Sequence, residues 1–392
     1  MQSMGTILDY LREYGDYTLW EKPFSDVDSL VLCQFTYLKF DGMVPGPGEG
    51  CCAVGVRELA EHVHYDHLYG DERYRKDNTA LFQGIYKSRR FGDMKLWNYV
   101  NQIEPDQETQ FSAVVCGLPG GVTYVAFRGT DESIVGWKED LNLAFSKPVP
   151  GQILSVQYLE QAARTIAGGF YVGGHSKGGN LAVYASMNCS AGVRERIERI
   201  YDHDGPGFRP EVREKGAFAE IAGRIRKTVP RSSLVGMLLY TEENYTVVES
   251  KTIGLAQHNP YTWLIREDAF KVVEEIRAGR KFMDQALNEW ILSLDQEQMR
   301  TFVDTFYRVV QASETDNLID FTANWFQSIQ KIGAALKEVD KETADVIVQI
   351  MRALFEVVSA HAREHVKNRR EQQRERFEEG MAQLEMHFRK DR

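Results

Sequence analysis

The residues with the clearest capacity for chemistry lie in "FYVGGHSKGGNLAVYA", residues 170–185. Ser176 occupies the third position of G-x-S-x-G, a pattern that can present a serine nucleophile on a sharp turn between a strand and a helix. His175, directly before it, is a candidate metal ligand. The stretch therefore permits two chemistries, attack by a serine hydroxyl or attack by a zinc-activated hydroxide.

The local pattern around Ser176 favours the serine. An apolar strand, "FYVG", precedes it and a helical stretch, "NLAVYAS", follows it. Gly174 and Gly178 stand where the backbones of such a strand and helix pass close together. The backbone N–H of Lys177, at the predicted start of the helix, would face an oxyanion that develops during attack. We therefore predict a nucleophile elbow.

The elements that must position this elbow alternate between strand and helix from residue 110 onward. "FSAVVCGL" and "VTYVAFRG" are predicted strands, and the "PGG" between them predicts a hairpin. The alternation predicts a mainly parallel sheet with helices on its faces. An earlier stretch, "SDVDSLVLCQFTYLKF", has apolar residues at helical spacing and predicts a helix.

Strand signals end at about residue 262, and "AFKVVEEIRAG" begins a series of predicted amphipathic helices. We predict a catalytic domain over residues 1–262, made of a mixed N-terminal segment (1–110) and a catalytic core (111–262). Residues 263–392 are predicted to form a helical region. Its charged last helix, with a thin apolar seam, is a candidate surface for self-association.

A second motif lies upstream of the serine. "YVAFRGTDESIVGWKEDL", residues 124–141, contains F-R-G-T followed by W-x-x-D at Trp137 and Asp140. These motifs, in this order and followed by G-H-S-x-G, resemble the class 3 lipases, a branch of the α/β-hydrolases. The resemblance implies the α/β-hydrolase fold, and it matches Thr130 to the family's oxyanion-hole hydroxyl residue.

Two further stretches carry a more specific resemblance. "FSDVDSLVLCQFTYLKF" near the N-terminus and "YTVVESKTIGLAQHNPYTW" before residue 264 resemble an uncharacterised bacterial lipase-like family, a domain of unknown function. This resemblance covers roughly residues 5 to 265.

The α/β-hydrolase fold places its acid and then its histidine after the serine in the chain. His258 lies in a loop after the last predicted strand, where this fold places the base. Of the other histidines after Ser176, His203 ends a predicted strand, and three lie on predicted helices. Those three are His361, His365 and His387.

The sequence identifies the acid less clearly than it identifies the serine and the histidine. The stretch "RKTVPRSSLVG", which corresponds to the site of the acid in class 3 lipases, contains no Asp. Asp204 ends the preceding strand and is the favoured acid. Asp202, two residues earlier in that strand, is an alternative. Glu243 is the remaining alternative.

A rival interpretation comes from "HVHYDH", which has the H-x-H-x-D-H spacing of metallo-β-lactamase-like hydrolases. Charged residues at helical spacing run into this motif, and a helix would spread its histidines apart. The rival also leaves the F-R-G-T and W-x-x-D motifs unexplained. Its ligands would be His62, His64, Asp66, His67, His175, Asp204 and His258.

Composition limits the setting and the partners. A formal net charge of −10 argues against nucleic acid, because phosphate binding needs a basic surface. Five cysteines, an odd number with one adjacent pair, form no disulfide framework and indicate a cytoplasmic protein. The sequence shows no signal peptide and no apolar run of membrane-spanning length.

These observations predict an esterase- or lipase-like serine hydrolase. It would act on a small-molecule acyl or lipid-like substrate and would need no cofactor. The alternatives are the two-zinc hydrolase and a non-catalytic hydrolase-fold scaffold that binds partners through its C-terminal helices.

Overall fold

The computed structural model describes residues 4–49, 53–62, 68, 74–104, 109–130, 148–231, 233, 235–239, 244–252, 254–274, 288, 292, 297, 298 and 341. Packing divides the chain into two compact units, Met1–Tyr307 and Arg308–Arg392. The fold given below is that of the first unit. Of the predicted C-terminal helical region, the described residues cover mainly 263–274.

The strands are short except in the middle of the sheet. They are β1 (Met4–Gly5), β2 (Val54–Gly55), β3 (Lys95–Glu104), β4 (Thr109–Gly117), β5 (Thr123–Phe127), β6 (Phe170–His175), β7 (Ile197–His203), β8 (Ile225–Pro230), β9 (Tyr245–Val248), β10 (Ile265–Arg266) and β11 (Ala269–Phe270). The α-helices are α1 (Ile7–Tyr14), α2 (Asp26–Phe35), α3 (Val56–His62), α4 (Arg75–Lys87), α5 (Pro150–Ala163), α6 (Lys177–Asn188), α7 (Ala191–Arg196), α8 (Pro210–Lys215) and α9 (Phe218–Ile221).

The main sheet follows the order of the chain from β2 to β9. Neighbours from β2 to β5 pair antiparallel, whereas β5 to β9 pair parallel. The predicted hairpin is confirmed as β4–β5. The sheet is thus mixed, and the prediction of a mainly parallel sheet holds for the half after β5. Short connections between β3, β4 and β5 permit only antiparallel pairs, because a parallel pair needs a long crossover.

The two faces of the sheet are covered by different parts of the chain. On β5, Val125 and Phe127 pack with residues of α5 and α6 in one core, while Tyr124 and Ala126 pack with residues of α1, α2 and α4 in another. Side chains alternate along a strand, so one strand serves both cores. Right-handed crossovers in a sheet whose order follows the chain place their helices on one face. The N-terminal segment covers the other face.

The helix predicted over "SDVDSLVLCQFTYLKF" is confirmed as α2. Ser25 and Asp28 form a capping box, in which the Ser25 N–H donates to Asp28 Oδ2 over 2.8 Å and the Asp28 N–H donates to Ser25 Oγ over 3.3 Å. The helix is buried on all sides from Val27 to Phe35. A helix that is buried on every side belongs to the core and not to the surface.

The prediction of a helix beginning at "AFKVVEEIRAG" is wrong at its start. Ala269–Phe270 forms β11, which pairs antiparallel with β10, and β10 pairs with β1. The Phe270 ring packs 5.8 Å from that of Trp263. Periodicity in a short apolar stretch does not separate strand from helix, and here contacts with residues distant in sequence decide the outcome.

A buried ion pair ties the N-terminal layer together. Arg90, after α4, donates from Nε to Asp28 Oδ1 over 2.6 Å and from Nη2 to Asp28 Oδ2 over 2.5 Å. It also donates to the backbone carbonyls of Lys22 and Pro23. Both charged side chains are almost fully buried. A buried ion pair is tolerated when its hydrogen-bonding groups are satisfied. Arg90 therefore joins the start of α2, the loop before it and the end of α4.

We expect Arg90→Met to lower the free energy of unfolding by about 3–5 kcal/mol, because it leaves the Asp28 carboxylate buried without its partner. Urea unfolding followed by circular dichroism measures the change. The control is Arg12→Met, which breaks the exposed Arg12–Asp9 pair and should change stability by less than about 1 kcal/mol. Equal effects in the two variants would contradict a special role for the buried pair.

Candidate active site

The turn between β6 and α6 holds Ser176 in an unusual backbone conformation. Its φ of 59° and ψ of −130° lie in a region that residues other than glycine rarely adopt. Backbone hydrogen bonds hold it there. The Ser176 N–H donates to the His203 carbonyl over 2.9 Å, and the Gly179 N–H donates to the Ser176 carbonyl over 2.9 Å. The strand, tight turn and helix predicted around Ser176 are present.

Close packing explains the glycines on either side of the serine. A Cβ on Gly174 would overlap the backbone of Gly178. A Cβ on Gly178 would overlap the carbonyl oxygen of Phe127 at the end of β5. The start of α6 is therefore in backbone contact with two neighbouring strands. Side chains at these positions would push the helix away from the sheet.

Three side chains from separate elements meet at this turn. Ser176 Oγ lies 2.9 Å from His258 Nε2, and His258 Nδ1 lies 2.6 Å from Asp204 Oδ2. Asp204 directly follows β7, and His258 ends a 3₁₀ helix (Gly254–His258) after β9. All three lie beyond the carboxyl ends of parallel strands, where open α/β sheets place their sites. The structure thus brings together the three residues that the sequence predicts as nucleophile, base and acid.

The hydrogen-bond partners indicate which atoms carry protons. A carboxylate oxygen only accepts, so the Nδ1–H of His258 donates to Asp204. In the neutral ring, Nε2 is then free to accept from the Ser176 hydroxyl. Asp204 is fully buried, while about a quarter of the His258 side chain is exposed. His258 is thus the more exposed of these two side chains.

The second oxygen of Asp204 has a partner that the sequence did not reveal. Ser233 Oγ donates to Asp204 Oδ1 over 2.5 Å, and the Gly236 N–H donates to Ser233 Oγ over 3.0 Å. Ser233 lies in "RKTVPRSSLVG", where the resemblance to class 3 lipases placed an acid. Here that stretch supplies a hydroxyl donor to an acid that comes from the preceding strand. A single serine in a loop carries no motif, so only its position after β8 could have indicated it.

Asp202, the alternative acid, points away from His258. Its Oδ2 accepts from Lys227 Nζ over 2.7 Å, and its Oδ1 accepts from the Gly205 N–H over 2.9 Å. Positions two apart in a regular strand share a face. Asp204 departs from that pattern because it lies just beyond β7 with a left-handed φ of 56°, so the two carboxylates have different partners. Burial raises the pKa of the Asp202 carboxyl against the opposing effect of the Lys227 ammonium. Glu243 lies outside the described residues.

The two residues predicted for an oxyanion hole lie beside the serine. Lys177 begins α6, so its backbone N–H is at the helix N-terminus. Its side chain leads away from the turn, and Nζ donates to the Gln110 carbonyl over 2.8 Å. Thr130 follows Gly129, and a Cβ on Gly129 would lie 3.3 Å from Ser176 Cβ. The end of F-R-G-T therefore borders the serine, and the oxyanion roles stay predictions.

Two buried histidines flank the turn at Ser176. Burial, followed by the influence of His258 and His203, lowers the pKa of His175 well below its ordinary value. Burial, followed by the charge of Lys227, lowers the pKa of His203 to about 3. His175 Nε2 lies 2.9 Å from the His258 carbonyl oxygen, and His203 Nε2 lies 2.9 Å from Ser29 Oγ. Both rings are neutral at ordinary pH.

Several predicted residues lie outside the described part of the chain. The approach to "HVHYDH" is helical as predicted, because α3 continues to His62. Within the described residues, no group of three or more His, Cys, Asp or Glu is arranged to hold a metal ion. The predicted residues outside that part are His64, Asp66, His67, Trp137, Asp140, Glu243, His361, His365 and His387.

None of the helices in the described ranges is both long enough and apolar enough to cross a bilayer.

A mixed eight-stranded sheet with a serine elbow, and with an acid and a histidine after later strands, is consistent with the α/β-hydrolase class. The chain belongs to the Mbeg1-like family, a lipase-like family, whose profile matches residues 85–308, more than half of its length. The predicted lipase-like character is confirmed at this level. The narrower assignment to class 3 lipases stays a prediction.

Comparison with solved structures finds the crystal structure of M37 lipase. The TM-score is 0.38 with 13% sequence identity, over 70% of this chain and 82% of that one. A similarity at this level transfers no residue role. No curated protein matches the chain significantly.

We expect the free energy of unfolding to fall as the pH drops below about 6.5. His175 and His203 then bind protons in the unfolded chain but stay unprotonated in the folded one, because folding lowers their pKa. A folded pKa below the unfolded value means that the stabilisation is complete above 6.5. For His203 it is lost progressively toward pH 3. Urea unfolding between pH 7.5 and 4 measures the decline. His203→Gln should decline less steeply than wild type, whereas identical slopes would contradict a neutral buried His203.

Proposed function

We propose that this protein is a serine hydrolase that cleaves an acyl ester through Ser176, His258 and Asp204. The continuous chain from Ser176 Oγ to His258 and on to Asp204, with bonds of 2.9 and 2.6 Å, carries the proposal. The strained backbone of Ser176 adds support, because such strain is characteristic of a nucleophile elbow.

In the proposed reaction, Ser176 Oγ attacks the acyl carbon while its proton passes to His258 Nε2. Asp204 holds the ring through Nδ1–H and stabilises the imidazolium that forms. The Lys177 N–H, at the start of α6, and Thr130 stabilise the tetrahedral oxyanion. The imidazolium then gives its proton to the leaving alcohol oxygen as the C–O bond breaks.

The acyl-enzyme is then hydrolysed by water. His258 takes a proton from the water as it attacks, and Ser176 leaves with that proton when the tetrahedral intermediate collapses. Every group in this cycle belongs to the chain or the substrate, so the mechanism calls for no cofactor. A small-molecule acyl or lipid-like substrate, a cytoplasmic setting, the absence of nucleic-acid partners and self-association through the C-terminal helices remain predictions.

A fluorophosphonate probe should label the wild-type protein on Ser176, and Ser176→Ala should abolish the labelling, because the probe requires an activated serine. Mass spectrometry of the modified peptide identifies the site. The matched control is Ser186→Ala, which removes a buried hydroxyl of α6 that donates to the Ala182 carbonyl one turn earlier. It should retain labelling. Wild-type protein without label, or label that persists in Ser176→Ala, would refute the proposal.

We expect Asp204→Asn to lower kcat for a short p-nitrophenyl ester by about 10³- to 10⁴-fold, because an amide no longer fixes the His258 tautomer. Glu243→Gln, at the other carboxylate that the sequence left open, should retain the wild-type rate. Steady-state kinetics on both variants make the comparison. Full turnover by Asp204→Asn would remove Asp204 from the mechanism.

A further inference from the structure

His175 makes a hydrogen bond to the backbone of the proposed base. Its Nε2 lies 2.9 Å from the His258 carbonyl oxygen, and its Nδ1 lies 3.3 Å from the Tyr37 hydroxyl. A carbonyl oxygen only accepts, so Nε2 must carry the hydrogen. In a neutral ring Nδ1 then accepts, and the Tyr37 hydroxyl is the donor that faces it. Both neighbours therefore fit a single tautomer of His175.

The His258 carbonyl lies between two short 3₁₀ segments and outside any α-helix or strand. His258 is the last residue of a single 3₁₀ turn, Gly254–His258, and the next 3₁₀ turn begins at Pro260. Both nitrogens of its ring are occupied by Ser176 and Asp204. Those bonds fix the tip of the side chain, whereas the bond from His175 fixes the backbone from which it projects.

Through this bond, His175, the residue next to Ser176, is linked to the backbone of His258. It is the last residue of β6, the strand that carries Ser176 as its next residue. The His175 and His258 rings lie 4.6 Å apart at an angle of 35°. A single hydrogen bond thus joins the strand that leads into Ser176 to the backbone of the proposed base. Its length, 2.9 Å, equals the distance from Ser176 Oγ to His258 Nε2.

We propose that His175 is a positioning residue, which holds the His258 backbone so that His258 Nε2 stays within reach of Ser176 Oγ, and that Tyr37 fixes the tautomer that makes this possible. This inference rests on the proposed function and assigns a task to a residue that the serine mechanism leaves unused.

The charge of His175 is consistent with this task. Only 4% of its surface is exposed, and burial together with the nearby His258 and His203 lowers its pKa well below the ordinary value. A neutral ring adds no charge next to the imidazolium that forms on His258 during the reaction. A protonated ring would have two donors and no acceptor for the Tyr37 hydroxyl.

Tyr37 brings the N-terminal layer into the site. It follows α2 by two residues, and a Cβ on Gly129 would overlap its hydroxyl. Gly129 in turn borders Ser176. The Tyr37 hydroxyl therefore lies close to Gly129, next to the proposed oxyanion residue Thr130, as well as to His175. The N-terminal layer, which covers the face of the sheet opposite α5 and α6, thus contributes a side chain to the proposed site.

The proposal is tested with two variants that differ in one hydrogen bond. His175→Phe keeps an aromatic ring but removes the donor, and His175→Gln places an amide N–H near the position of Nε2. We expect His175→Phe to lower kcat for a short p-nitrophenyl ester by about 10- to 100-fold with KM little changed. The rate of fluorophosphonate labelling should fall in parallel. His175→Gln should recover most of both rates, and melting temperatures verify that each variant is folded.

A packing role alone gives a different result. If His175 only fills space, the Phe and Gln variants react at similar rates, or the Phe variant is the faster, and the proposal is overturned. Wild-type protein that does not label at all overturns the proposed function itself. Wild-type protein that labels at the same rate as His175→Phe overturns only the positioning role.

Nitrogen NMR of protein labelled with ¹⁵N-histidine tests the tautomer without any assay of activity. His175 in wild-type protein should show the Nε2–H form, and Tyr37→Phe should increase the Nδ1–H form. Tyr37→Phe should also lower kcat by about fivefold, the contribution of one neutral hydrogen bond. If His175→Phe does not fold, Tyr37→Phe still tests the proposal. An Nδ1–H tautomer in wild-type protein would overturn the proposal.

Discussion

The left-handed turn at Ser176 is the constraint on which the rest of the site depends. A non-glycine residue persists in such a conformation only when its surroundings hold it there. Here the His203 carbonyl holds the Ser176 N–H, and the close approach of α6 to β5 and β6 leaves the turn no room to relax. The same strand end that bonds to Ser176 continues directly into Asp204. The strain at the serine and the placement of the acid therefore arise from one pairing of neighbouring strands.

The sheet that carries this turn is stable only with cover on both faces. Its crossover helices α5 and α6 pack on one face, and the N-terminal helices pack on the other. The N-terminal layer is held by the buried pair of Arg90 and Asp28, which fixes the start of α2. Two residues after α2, Tyr37 makes a hydrogen bond with His175 beside the candidate site. A segment that looks irregular in sequence thus forms one of the two layers that support the candidate site.

Much of the fold could be predicted from the sequence because its signals are local. The helix α2, the β4–β5 hairpin and the β6–α6 elbow each have a period, a cap or a glycine pattern within a few residues. The hairpin of β10 and β11 could not be predicted, because β10 pairs with β1, more than 250 residues earlier in the chain. The strands β2 and β3 were not predicted either, because neither has a strong strand pattern and β2 pairs with a segment that is distant in the chain.

The sequence by itself determined which chemistry to propose for this protein, because the elbow glycines, Ser176 and the late His258 have motifs with a physical basis. It left the acid open among three carboxylates. Only the tertiary structure placed Asp204 against His258 and Asp202 against Lys227. Positions two apart in a regular strand share a face, but Asp204 lies just beyond β7 with a left-handed φ of 56° and so leaves that pattern. The tertiary structure also decided the partners of Asp204 and His175. Ser233 and Tyr37 come from distant segments, and side-chain hydrogen bonds between such segments leave no periodic trace in a sequence.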